Sequence, residues 1–65
     1  MKIINQDTST SELIAIKMGD LISNGIGIFG VVENIEFKNN NDYWEFTFLL
    51  VGGDFIQIKK ARENC

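Results

Sequence analysis

The sequence contains no histidine, no proline and a single cysteine, Cys65, in 65 residues. The absence of histidine excludes a general base built on imidazole and a zinc site that relies on histidine ligands. One cysteine cannot close a disulfide within the chain. As a nucleophile, a thiol at the last position lacks the ordered pocket and activating base that it needs. We therefore expect no enzyme activity, no catalytic residue, no metal site and no cofactor.

Basic residues are scarce, with six lysines and arginines against nine acidic residues and a net charge of −3. A protein that neutralises phosphates usually carries a basic face, so this balance disfavours nucleic-acid binding. The cations that cluster are Lys59, Lys60 and Arg62. A solvated strand end is the simpler interpretation of such a short group.

Long apolar runs are missing as well. No stretch approaches the roughly 18 apolar residues that a membrane-spanning helix needs. The start of the sequence also lacks the charged region, apolar core and small-residue cleavage site of a signal peptide. We expect no membrane association and a cytoplasmic location.

The chain is short enough to form only one domain, spanning residues 1–65. A domain of this size buries only about 60% of its unfolded surface and is marginally stable without a disulfide or a metal. Self-association adds buried apolar area without lengthening the chain, so we expect a homo-oligomer or a protein partner.

The N-terminal third predicts a short strand within Met1–Asn5, followed by a helix over about Thr10–Met18. Ser9 and Glu12 have the spacing of a capping box, which favours the helix. A strand through residues 13–16 is the alternative, because the run is too short for periodicity to decide. The helix would turn four apolar residues toward the sheet: Leu13, Ile14, Ala15 and Met18.

The centre of the chain predicts a β-meander. Two segments have the pattern of strands: residues 25–37, with glycines at positions 25, 27 and 30, and the aromatic residues 43–51. The turn Asn39–Asp42 lies between them. A second turn, Gly52–Asp54, leads into a third strand. Glycine supplies the positive φ that a three-residue hairpin loop requires.

The register of the first hairpin follows from its apolar face. A four-residue loop sets Phe37 opposite Trp44, whereas a five-residue loop sets charged and polar residues against the aromatic ones. Since a slip of one residue moves the whole apolar set to the other face, the four-residue loop is favoured. It places Val31 on the inner face, and also Glu33, so we predict a bulge near Glu33 and Asn34.

The second hairpin continues that face if its three-residue loop pairs Leu50 with Ile56. A two-residue loop would instead bring Gln57 and Lys59 inside. The fold class that we predict is mainly β: a small antiparallel SH3-like barrel or bent meander sheet with a short N-terminal helix.

A resemblance to a known family supports the barrel. Several positions match the KOW-type motif of small SH3-like barrels, which opens with Gly-Asp-x-apolar and continues into a Gly-x-Val-x-x-Ile strand. The matching residues are Gly19, Asp20, Ile22, Gly27, Gly30, Val32 and Ile35. The resemblance covers about a quarter of the chain and implies a module that binds RNA or protein. The sequence departs from the pattern at Asn24, and residues 25–30 lack the basic side chains typical of RNA-binding members.

We predict a partner-binding surface on the outer face of the meander, where Glu36 lies opposite Glu45 in the favoured register. A basic protein partner is the simplest use of that acidic pair. The surface consists of Val32, Glu36, Glu45, Leu49, Val51 and Phe55.

The sequence leaves two other sites open. Nucleic acid could bind through Tyr43, Lys59, Lys60, Arg62 and the glycine turn. Alternatively, backbone amides at Gly25, Gly27 and Gly30 could hold a small nucleotide-like anion between subunits. A tight turn with strand curvature is the simpler role for these glycines.

The function that we expect is non-enzymatic binding by a small acidic module that docks on a larger protein or on itself. The small size and the Asn/Ile/Lys-rich composition are compatible with a phage or mobile-element protein that inhibits host machinery.

Overall fold

The computed structural model describes residues 1–61, most of which lie in strands. The elements in chain order are β1 (Lys2–Ile3), α1 (Thr10–Ile14), β2 (Leu21–Ser23), β3 (Phe29–Asn39), β4 (Tyr43–Leu50) and β5 (Phe55–Ala61). The five strands form one sheet in the order β1-β2-β3-β4-β5. The first pair is parallel and the others are antiparallel. The prediction of a mainly β fold with a short N-terminal helix is confirmed, and over residues 1–61 the sheet is open, with β1 and β5 as its edges.

Strand β3 joins the two halves of this sheet. Its residues 29–31 pair with β2, and its residues from Val32 onward pair with β4. The register shifts by one residue between Val32 and Asn34, so Glu33 has no partner on β4. Such a bulge bends a strand and increases its twist. The bulge that we predicted near Glu33 is confirmed.

The first hairpin turn is tighter than predicted. Asn39 pairs with Trp44, and the Asn40 amide donates to the Tyr43 carbonyl at 2.9 Å, which leaves only Asn41 and Asp42 in the turn. The predicted four-residue loop is therefore wrong. Residues 39–42 are all exposed, so no apolar face restricts the pairing there. The β3–β4 ladder therefore continues through the polar asparagines.

This correction moves the register by two residues, which keeps each side chain on its predicted face. Phe37 therefore opposes Phe46, and Ile35 opposes Phe48. Beyond the bulge the outcome differs, because Val32 pairs with Leu50 and takes the inner position that we predicted for Val31.

The second turn has the predicted length but begins one residue earlier. The Leu50 amide donates to the Asp54 carbonyl at 2.8 Å, so the loop comprises Val51, Gly52 and Gly53. Both glycines have positive φ, 104° and 98°. A residue with a side chain would be strained at either position.

The core lies between the inner face of the sheet and the N-terminal segment. Its buried apolar residues are Ile4, Leu13, Ile16, Ile22, Val32, Phe46, Phe48, Leu50, Ile56 and Ile58. Ile35 and Trp44 pack against them and are partly exposed. The inner position predicted for Trp44 is thus confirmed.

Helix α1 begins where the sequence predicted. The Ser9 hydroxyl accepts a hydrogen bond from the Glu12 amide at 3.3 Å. The helix ends at Ile14 and not near residue 18. The following residues form a turn in which the Lys17 amide donates to the Asp20 carboxylate at 2.8 Å.

This early end changes which residues face the sheet. Leu13 and Ile16 are buried, whereas Ile14 and Met18 are mostly exposed. Of the four inward residues that we predicted from a longer helix, only Leu13 is buried, since Ala15 is exposed as well.

Candidate binding surface

The outer face of the sheet carries a continuous apolar row. Leu21 pairs with Val31 across β2 and β3, and the Val51 amide donates to the Val31 carbonyl at 2.9 Å. These contacts place Leu21 on β2, Val31 on β3 and Val51, the first loop residue after β4, side by side. All three side chains are exposed.

The row extends in both directions along the sheet. Ser23 pairs with both Ile3 and Phe29, which sets these two apolar side chains on the same outer face. On the other side, Leu49 pairs with Phe55. We call this surface the apolar outer face, and it consists of Ile3, Leu21, Phe29, Val31, Leu49, Val51 and Phe55.

The exposure of this face is high for apolar side chains. Phe29 is 64% exposed and Val31 is 40% exposed, and Leu49 is the member that is partly covered. Isolated exposed apolar residues are common on proteins, but a contiguous group marks an interaction surface. Two acidic residues directly precede members of the face, Asp20 before Leu21 and Asp54 before Phe55, and both are exposed. One exposed basic residue, Lys2, precedes Ile3.

The structure separates the residues of the predicted partner surface. Leu49, Val51 and Phe55 belong to the apolar outer face, but Val32 is only 1% exposed and lies in the core. The bulge is the cause, since it turns Val32 inward.

The acidic pair that we predicted does not form. Glu36 pairs with Thr47, and Glu45 lies between Lys38 and Lys59 of its neighbouring strands. Opposite charges across a ladder are mildly stabilising. The Glu45 side chain is buried and accepts a hydrogen bond from Gln57 Nε2 at 3.0 Å, so it is not available to a partner.

Backbone amides of the glycine turn, residues 25–30, donate hydrogen bonds to the side chains of the two residues before it. Asn24 Oδ1 accepts from the amides of Ile26 and Ile28 at 2.9 and 3.0 Å, and Ser23 Oγ accepts from the Gly25 amide at 3.0 Å. An anion that bound to the amides of Gly25, Ile26 or Ile28 would have to compete with these side-chain acceptors.

Gly30 lies on the inner face of β3, where its lack of a side chain affects packing against Leu50. A Cβ atom at this position would lie 3.3 Å from Leu50 Cβ. The glycine therefore permits the close approach of β3 to the core.

Asn24 is expected to hold the turn together. Its replacement by alanine removes the acceptor for two amides, and we expect a loss of about 1–2 kcal/mol in the free energy of unfolding. Asn24→Asp keeps an Oδ oxygen at the same place and should retain most of that stability. Urea denaturation of both variants measures the difference. Equal stability of the alanine variant and the parent would contradict this role.

The predicted nucleic-acid residues do not form one basic surface. Lys59 Nζ lies 5.4 Å from the centre of the Tyr43 ring, on the outer face. Lys60 follows on the opposite face, where its Nζ donates to the Gln6 carbonyl at 2.7 Å. Arg62 lies outside the described residues, as does Cys65.

Sequence reasoning missed four members of the apolar outer face: Ile3, Leu21, Phe29 and Val31. The spacing of Phe29 and Val31 at alternate positions was the available signal. It was obscured because the inward position between Phe29 and Val31 is a glycine.

Two grooves of about 350–360 Å³ each also open on the described chain, and Phe55 of the apolar outer face lines the second. One lies between α1 and the inner face, lined by Leu13, Ile14, Ile16, Ile35, Phe37 and Phe46. The other lies between the N-terminal segment, the glycine turn and β5, with Ile4, Ile26, Ile28 and Ile56 in its walls.

Acidic side chains and cysteines do not gather in groups of three or more that could hold a metal ion anywhere in residues 1–61. Over the same residues, no helix has the length and apolar character to cross a membrane. Comparisons with protein-family models, curated proteins and solved structures give no match.

Proposed function

We propose that this protein is a non-enzymatic binding module that docks its apolar outer face on a larger protein. The observation that carries the proposal is the extent of that face across the sheet, from Ile3 on β1 to Phe55 on β5, with the buried Ser23 between Ile3 and Phe29. Burial of such a face stabilises a complex by about 25 cal/mol for each Å² of apolar surface removed from water.

The charge of the chain favours one kind of partner. Asp20 and Asp54 are exposed next to Leu21 and Phe55 of the apolar outer face, and the chain as a whole carries a charge of −3. Two copies of an acidic chain repel each other, whereas a basic rim on a different protein attracts it. The partner that fits has an apolar patch bordered by lysine or arginine.

We also infer that the sheet is of the SH3-like barrel type. The KOW-type resemblance implies an SH3-like barrel, and Gln6 lies at the place where such a barrel would close. Its side chain bonds the backbone of Lys59 on β5, while residues 2–4 bond to β2. Small barrels of this family are binding modules, which agrees with the proposed class of function.

A cytoplasmic role as an inhibitor of host machinery, of the phage or mobile-element type, is the specific form of this function that we infer from composition and size. Masking of a partner surface is the mechanism available to a small module of this kind. An activity assay of the identified partner, with and without this protein, tests that form separately.

The test compares two exposed phenylalanines. Phe29 lies on the apolar outer face, and Phe37 is 53% exposed elsewhere on β3. We expect Phe29→Ser to weaken binding of a purified partner by at least about tenfold, and Phe37→Ser to change it by less than about threefold. Candidate partners are the proteins that bind to the unsubstituted chain and to the Phe37→Ser chain but not to the Phe29→Ser chain. Each is then purified, and its Kd is measured by calorimetry.

Three results would overturn the proposal. The first is the same set of retained proteins for all three chains. The second is a native mass showing that the parent is an oligomer that Phe29→Ser converts to a monomer, which assigns the face to a second copy. The third is salt-sensitive binding of RNA or DNA with no protein partner, which favours the nucleic-acid alternative.

A further inference from the structure

Strand β5 presents an open edge. The Leu50–Asp54 hydrogen bond fixes which residues of β5 exchange hydrogen bonds with β4: Asp54, Ile56, Ile58 and, by alternation, Lys60. The amides and carbonyls of Phe55, Gln57 and Lys59 therefore point away from β4. No other strand of the described chain pairs with β5 on that side.

One position on this edge is already occupied by an amide group. Gln6 Nε2 donates to the Lys59 carbonyl at 2.8 Å, and Gln6 Oε1 accepts from the Lys59 amide at 3.1 Å. A carboxamide has the same donor and acceptor as a peptide group. Gln6 thus makes at Lys59 the pair of bonds that a neighbouring strand would make.

The next positions along the edge, Gln57 and Phe55, face the second groove described above. Its walls contain Ile4, Ile26 and Ile28. Ile26 is the most exposed large apolar residue of the described chain. A strand laid along the edge would hydrogen-bond to Gln57 and Phe55 and turn alternate side chains into this apolar groove.

The charges of β5 favour one orientation of an incoming strand. From Phe55 to Ala61 the strand itself carries Lys59 and Lys60 and no carboxylate, although Glu45 on β4 lies opposite Lys59 and Asp54 precedes the strand. An incoming strand with acidic residues at the end near these lysines is complementary to them.

We propose that the open edge of β5, at Phe55 and Gln57, binds an extended segment of a partner protein as an additional β-strand. That segment has apolar residues at alternate positions and acidic residues at its Lys59 end. This site uses the backbone of Phe55, whose side chain belongs to the apolar outer face, and extends from there into the second groove. Its binding does not depend on the function proposed above.

The test removes one outward donor without changing the β4 ladder. Gln57→Pro eliminates the outward amide, and proline is tolerated on an edge strand where the amide faces away from the sheet. Gln57→Thr is the matched control, because it loses the same side-chain bond to Glu45 but keeps the amide. If the proline variant fails to fold, a synthetic chain with N-methylated Gln57 replaces it.

The probe is a displayed library of nonapeptides in which alternate positions are restricted to Val, Ile, Leu and Phe, with Asp or Glu at either end. We expect the full chain to enrich peptides from it. Gln57→Pro should raise the Kd for the enriched peptides by at least about tenfold, and Gln57→Thr should raise it by less than about threefold. Amide exchange at Gln57 and Phe55 should slow when peptide is bound. Phe29→Ser should leave peptide binding unchanged even if the protein partner is lost.

The proposal is overturned if no peptide is enriched, or if the proline and threonine variants bind equally. Loss of peptide binding in Phe29→Ser would place the peptide on the apolar outer face instead. A dimer of the parent chain that Gln57→Pro abolishes and Gln57→Thr preserves would assign the edge to a second copy.

Discussion

Replacement of Phe48 by alanine is expected to unfold most of the protein at 37 °C. Phe48 is 0% exposed, lies on the central part of β4 and pairs with Ile35 and Ile56 on both sides. Removal of a fully buried phenylalanine costs about 3–5 kcal/mol. For a domain of this length the total free energy of unfolding is on the order of 3–10 kcal/mol, so most of it is at stake.

Phe29→Ala is the control for this loss, because it removes the same atoms from an exposed position on β3. We expect it to change stability by less than about 1 kcal/mol. Urea denaturation followed by tryptophan fluorescence measures both variants, since Trp44 packs against the core. A Phe48→Ala chain as stable as the Phe29→Ala chain would show that the core is not organised around β4.

The second large effect is expected from two adjacent valines. Val32→Lys places an ammonium group in the core and should cost at least about 4 kcal/mol, enough to unfold the chain. Val31→Lys places the same group on the outer face, where the charge stays in water, and should cost less than about 1 kcal/mol.

This comparison also tests the bulge at Glu33. In a hairpin without the bulge, Val31 faces the core and Val32 faces solvent, so the two variants would exchange their effects. Circular dichroism and thermal unfolding of both chains distinguish the two registers. The Val31→Lys chain should additionally lose the protein partner, since Val31 is part of the apolar outer face.

The sequence predicted the strand faces of β4 and β5 correctly and the loop positions incorrectly, for a single physical reason. Alternation of apolar residues determines which face is buried, and a shift of two residues leaves that alternation intact. Both hairpins differ from the prediction by this shift. The choice between such registers depends on turn geometry and on pairing along the whole ladder, which residue types specify only weakly.

The candidate surface was harder to predict because it depends on β2 and on the bulge. Strand β2 has only three residues, Leu21–Ser23, and its partner segment contains the inward glycine Gly30. With so few alternating positions, a local pattern does not identify a strand. Neither the pairing of Leu21 with Val31 nor the inward turn of Val32 follows from local residue preferences.

The two hydrogen bonds between Gln6 and Lys59 also constrain when the protein can fold. They join residues that are 53 positions apart, and such a contact carries a large loop-closure entropy. During synthesis the N-terminal segment leaves the ribosome first. It can pair with β2 early, but Gln6 has no acceptor until β5 has been made. A chain interrupted before β5 therefore has neither these two bonds nor the ladder that pairs with the outer edge of β4.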